Sequence, residues 1–142
     1  MRLSALSIGF ITGLALCGTA FAQGAAPLTD REVVGDWRLL ITPAEGQGRT
    51  ITFKARDGSQ RLDFPLAITA GPRGGLRCTV SNDPAECRIR NGELRISSPG
   101  DGFTMAFSLR DRTPRGFAGV VDLRVRLMPV GGRIGSVTMT RH

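Results

Sequence analysis

The side chains able to do chemistry are few here. Cys78 and Cys87 stand nine positions apart, His142 is the sole histidine and the last residue, and tyrosine is absent. Redox-active cysteine pairs typically have Cys-x-x-Cys spacing beside a helix start, which these two lack. Two cysteines and one histidine also fall short of the four ligands of a structural zinc site. A Ser–His or Cys–His couple would have to form around a terminal residue that is expected to fray in solvent. Asp36, Asp57, Asp63, Asp83, Asp101 and Asp111 fall at strand ends or turns, where aspartate makes local hydrogen bonds, and nothing in their spacing marks a two-carboxylate hydrolase. Gly71-Pro72-Arg73-Gly74-Gly75 and Gly131-Gly132-Arg133 read as hairpin turns, because neither opens a helix and the P-loop pattern is missing. The sequence predicts no catalytic residue, no metal and no cofactor.

Charge is the second resource. The chain carries 19 basic residues, all arginine except Lys54, against 12 acidic ones. Arginine's planar fork matches oxyanions, although a basic surface also simply keeps a small domain soluble. Asn91-Gly92 is the strongest hairpin signal in the chain, and it would set Arg90 opposite Glu93 and Arg88 opposite Arg95. Like charges facing each other destabilise a sheet, so Arg88 and Arg95 point to an anionic partner. Arg124 and Arg126 form a second basic pair. A nucleic-acid surface would interleave exposed aromatics with such residues, and here the aromatics fall on inner positions, so no nucleic-acid partner is expected.

The elements that must position these groups follow a period of two. Trp37, Leu39 and Ile41 share a face, with Arg38 and Thr42 opposite. Ile51 and Phe53 alternate with Thr50, Thr52 and Lys54, and Asp57-Gly58 supplies a turn. Leu62, Phe64, Leu66 and Ile68 form the next inner face, with Pro65 demoting that run to an edge or bent strand. Leu76, Cys78 and Val80 follow, then Cys87 and Ile89, then Leu94 and Ile96. The last inner sets are Phe103, Met105, Phe107 and Leu109; Val121, Leu123, Val125 and Leu127; and Val137 and Met139. Their outer faces carry Arg110, Asp122, Arg124, Arg126, Thr138 and Thr140. Thr29 and Glu32 have capping-box spacing, and Gly35 stops the helix they start, so one short helical plug precedes the strands. The pattern predicts an all-β fold, an antiparallel up-and-down meander of about eight or nine strands closed into a barrel. With Ser81 to Pro84 as a loop, Cys78 would lie directly opposite Cys87, and the bridge would contribute about 2.7 kcal/mol.

Residues 1–22 stand outside that pattern. Arg2, the apolar run Leu6 to Leu16 and Ala20-Phe21-Ala22 have the layout of a secretory signal peptide cleaved after Ala22. Lipid attachment at Cys17 is opposed by the bulky Leu16 before it, and the apolar run is too short for a permanent membrane anchor. Cleavage would leave a single domain, residues 23–142, in the periplasm or secreted, with 18 basic side chains against 12 acidic ones and a net charge of about +6. An oxidising compartment favours Cys78 and Cys87 as a structural disulfide.

Gly35-Asp36-Trp37 at the entry to the first strand, with Arg141 at the end of the last, resembles the calycin superfamily of lipocalin-like barrels. The resemblance implies that Trp37 closes one barrel end and that Arg141 covers it through a cation–π contact. It also implies an interior where Trp37, Phe53, Phe64, Phe103, Phe107, Leu123 and Val125 would line a ligand site or fill a solid core. Within that superfamily the chain is similar to small periplasmic inhibitors of secreted bacterial metalloproteases, whose N-terminal segment enters the protease cleft. Gln23 to Leu28 would be that segment here. In that group the first cysteine follows the Gly-x-Trp strand, whereas Cys78 and Cys87 clip a central hairpin. The sequence therefore leads to a non-catalytic binding protein whose partner is a small apolar ligand, an anionic envelope component or a protein, with protease inhibition as the alternative.

Overall fold

A computed structural model describes residues 26–44, 62–129 and 131–142. One helical turn, α1 (Asp30–Val33), precedes eight strands: β1 (Gly35–Pro43), β2 (Asp63–Ala70), β3 (Leu76–Val80), β4 (Asp83–Arg90), β5 (Glu93–Pro99), β6 (Phe103–Thr113), β7 (Gly116–Val125) and β8 (Gly131–Arg141). Each strand pairs antiparallel with its sequence neighbour, and β8 returns to pair with β1, so the meander is a closed barrel. Closure gives each of the eight strands two partners and leaves no exposed ladder edge among the described residues. The strand expected around Ile51 and Phe53, the Asp57-Gly58 turn and the signal peptide lie outside the described residues.

Alternation fills the interior. Leu39, Leu66, Ile68, Leu94, Ile96, Phe107, Leu109, Val121, Val137 and Met139 are each less than 2% accessible to water. Side chains so enclosed touch other atoms on all sides, as in a close-packed core. The residues toward the far end of the barrel from Trp37 are less covered: Phe64, Phe103, Leu123 and Val125 are half-buried.

Several local expectations change. The β3–β4 turn is only Ser81-Asn82, both with left-handed backbone (φ 52° and 68°), as a two-residue type I′ hairpin requires. Cys78 therefore pairs with Ala85 rather than Cys87, and the disulfide runs diagonally across the hairpin with a Cα–Cα distance of 6.0 Å. Pro65 is not on an edge, since β2 lies between β1 and β3. It sits one residue beyond the last β2–β3 pair, where its carbonyl accepts from the Ser81 N–H and the ladder needs no donor. Gly131-Gly132-Arg133 opens β8 instead of forming a turn. Leu127 does not continue the inner face of β7; it lies in the β7–β8 turn, fully exposed, at φ 62°.

Two bulges also break the simple alternation, one on β6 between Leu109 and Asp111 and one on β8 opposite Val121 and Asp122. The first inserts Arg110 as an extra residue and reverses the parity of the rest of β6. As a result Arg112, not Asp111, pairs with the buried Phe117.

Candidate functional site

Two regions gather polar groups, and each arises from how neighbouring strands are registered. The first is the barrel end closed by α1. Thr29 donates to the Glu32 carboxylate from both its backbone N–H and its hydroxyl, each at 2.9 Å, which fixes the start of the helical turn. Val33 and Leu28 are buried beneath it. The Trp37 indole N–H donates to the Val33 carbonyl at 2.7 Å, so its one polar atom is satisfied within the core. The Arg141 guanidinium lies over the indole at 4.3 Å and donates to the carbonyls of Glu32 and Val34.

Two glycines make room for that stack. At Gly35 (φ 140°) a Cβ would sit 2.6 Å from Arg141 Nη1, and at Gly116 (φ 157°) it would collide with the Met139 carbonyl oxygen and lie 3.2 Å from the indole. Phe117 packs against Trp37 with ring centroids 5.7 Å apart. Arg112 caps Phe117 at 5.9 Å, forms an ion pair with Glu32 and donates to the Ala26 carbonyl at 3.0 Å. The Arg112 hydrogen bond, followed by the two bonds from Thr29, holds the Glu32 carboxyl down at a pKa of about 2; the same contact raises that of Arg112. This end is a latch. Glu32, Arg112, Arg141 and the Trp37 indole N–H are already bonded to the chain itself, whereas Arg115 at the rim makes no side-chain bond among the described residues.

The second region is on the outside of the barrel, across β3 to β7. Arg88 on β4 is directly opposite Arg95 on β5, and Arg95 is opposite Ser108 on β6. In the adjacent row Glu86, Ser97, Ala106 and Asp122 run in turn from β4 to β7. Small half-buried side chains (Thr79, Ser97, Ala106 and Ser108) occupy the middle, while Arg77, Arg88, Arg95 and Arg124 stand exposed around them. The result is a groove of about 940 Å³ with a hydroxyl-bearing floor and a guanidinium rim. The disulfide cysteines form part of its wall.

The counter-charges are unevenly distributed. Arg95 reaches Glu93 at 3.3 Å, and Arg110 shares the same carboxylate at 3.5 Å. Asp122, at the groove margin, is held by Arg133 at 3.2 Å. Among the described residues Arg77, Arg88 and Arg124 form no ion pair, and Glu86 is the one groove carboxylate without one. The Arg90–Glu93 register pair likewise makes no ion pair, because Glu93 turns to Arg95 and Arg110.

The aromatic set expected to line the interior is not gathered into one site. Trp37 is at the latched end, and Phe107 lies deep in the core. Phe103 and Val125 face each other across β6 and β7 at the far end, with Leu123 opposite Met105 one step inward. Phe64 is on β2, and Phe53 lies outside the described residues. Of the segment Gln23 to Leu28, expected to enter a protease cleft, Ala26 is tied through its carbonyl and Leu28 is buried. Sequence reading missed Phe117, Gly116 and Arg112 at the latch, because the β6 bulge that brings Arg112 over the Phe117 ring has no glycine or proline to announce it. It missed the groove as a whole because no single strand contains it. No protein-family model matches the chain, and neither does any curated protein or solved structure.

Proposed function

We propose that this protein is a non-catalytic binding module, a calycin-like barrel delivered to the periplasm or outside the cell by a signal peptide cleaved after Ala22. Its partner is an acidic polymer held on the outer β3–β7 face. The single observation that carries the reading is Arg88 opposite Arg95 with Arg77 and Arg124 nearby, three of the four lacking any carboxylate. A fold gains nothing from such a cluster, since facing like charges oppose pairing. Guanidinium groups spaced across strands about 4.8 Å apart, above a floor of serine hydroxyls, suit carboxylates or phosphates repeated along a chain. The groove crosses five strands and is open at its sides, which fits an extended polymer better than a small enclosed molecule.

The calycin resemblance is supported by the Arg141–Trp37 stack and the eight-strand closure. An interior apolar ligand has less support, because the inner side chains are packed against one another. Protease inhibition through the N-terminal segment also has less support, since Ala26 and Leu28 are engaged in holding the latch.

The test is binding of the 23–142 protein to immobilised heparin, a generic acidic polymer, as a function of salt. Arg88→Ser with Arg95→Ser and Arg124→Ser should weaken binding by about tenfold or more at fixed salt, because each lost contact removes a counterion-releasing cation. Arg31→Ser with Arg115→Ser removes exposed charge elsewhere and is expected to have a much smaller effect. Equal losses in both variants would reduce the groove to non-specific charge and overturn the proposal.

A further inference from the structure

The β7–β8 turn has chemistry that neither the barrel nor the groove uses. Leu127 is fully exposed and Met128 is 63% exposed, and Pro129 beside them is exposed as well. Leu127 also adopts φ 62°, a left-handed conformation that a branched side chain ordinarily avoids and that glycine or asparagine would take without penalty. An apolar side chain that is both strained and solvated contributes nothing to this fold. Among the described residues the other non-glycine positions of this kind, Ser81, Asn82 and Asn91, have small polar side chains, and Leu127 is the one apolar residue in the set.

Basic residues surround the base of the tip. Arg126 comes directly after β7, anchored by its N–H to the Gly102 carbonyl at 2.8 Å, and Arg124 is paired with Gly131 across the ladder. Neither arginine is in an ion pair among the described residues, and Asp101 on the adjoining β5–β6 turn is in none either. We infer that this turn docks the barrel on an anionic phospholipid bilayer, with Leu127 and Met128 entering the acyl boundary and Arg124 and Arg126 meeting the headgroup phosphates. Arginine is suited to that boundary because its stem lies along apolar surface while its fork engages phosphate. A protein partner is the weaker occupant on the same observations. The described tip residues include no aromatic anchor, and leucine is under-represented among the residues that dominate protein interfaces.

The experiment is co-sedimentation of the 23–142 protein with vesicles of phosphatidylcholine containing phosphatidylglycerol, against phosphatidylcholine alone. Wild type should bind the anionic vesicles, and Leu127→Ser with Met128→Ser should weaken that binding by about tenfold, with the disulfide and the folded spectrum intact. Met128→Trp provides a second readout that does not depend on loss of binding. Its fluorescence should shift to the blue with vesicles and be quenched by brominated acyl chains, whereas buried Trp37 reports neither. No binding by wild type, binding indifferent to the tip, or a tryptophan that stays in water would each overturn the inference. A loss seen only with Arg88→Ser and Arg95→Ser would assign vesicle binding to the groove and overturn the tip while sparing the groove proposal.

Discussion

The latched end and the outer groove use the same residue type in opposite ways. At the latch, Arg141 and Arg112 each lie against an aromatic ring and donate to fixed oxygens of the chain, so their charge is absorbed by the fold. On the β3–β7 face, Arg77, Arg88 and Arg124 project into solvent without a carboxylate, and the register sets one of them against Arg95. Arginine content alone therefore says little about function. What separates the two regions is whether the chain provides its own acceptors.

The largest effect expected from breaking that contrast is at the latch. Trp37→Ala removes the ring that both Arg141 and Phe117 pack against, and should cost about 4 kcal/mol in urea unfolding. Gly116→Ala tests the space around the same ring. Its new methyl would collide with the Met139 carbonyl and force the backbone to move, for an expected loss of about 2 kcal/mol. Glu32→Gln should be gentler, and its signature is a pH dependence. Because the folded-state pKa is depressed from 4.5 to about 2, the stability that this carboxylate contributes is present above pH 4.5 and drains away as pH falls toward 2. Acid titration of unfolding should show wild type losing more stability than Glu32→Gln across that window. Curves that stay parallel would mean the Arg112 contact is screened away in solution. The smallest change is in the groove: Arg88→Ser should leave stability unchanged or raise it by a few tenths of a kcal/mol, by relieving its repulsion with Arg95. A clear destabilisation there would mean the groove arginines are structural, like those of the latch.

The sequence was most legible where one rule governed each segment. Alternation placed Trp37, Leu39, Leu66, Phe107 and Val121 inside, and turn residues at Asn91-Gly92 and Pro99 to Gly102 marked where strands reverse. The short connections implied the meander and its closure. Ser81-Asn82 was unreadable as a tight turn because neither residue is glycine, so the spacing implied a longer loop and a straighter disulfide than the hairpin has. The bulge at Arg110 was hidden for the same reason, and with it the placement of Arg112 over Phe117; the one opposite Asp122 is bordered by Gly135 but was hidden because Gly131-Gly132-Arg133 read as a turn. Part of the groove was visible, since Asn91-Gly92 fixes the register that sets Arg88 against Arg95. The remainder depends on β3, β6 and β7 arriving beside that hairpin, which is a property of the sheet and not of any segment.

The seam between β1 and β8 has a kinetic consequence. Six of the strand pairings, β2 to β8, join sequence neighbours across short turns and can form as local hairpins, whereas Trp37 meets Arg141 only after roughly a hundred intervening residues are in place. Barrel closure is thus the step with the largest search, and the steepest contribution to the folding barrier should come from it. Until that seam zips, β1 and β8 are two unpaired edges of an open sheet, and this is the state in which the chain is most exposed to pairing with another molecule. The Trp37–Arg141 stack, sitting on that seam, completes the fold as it closes.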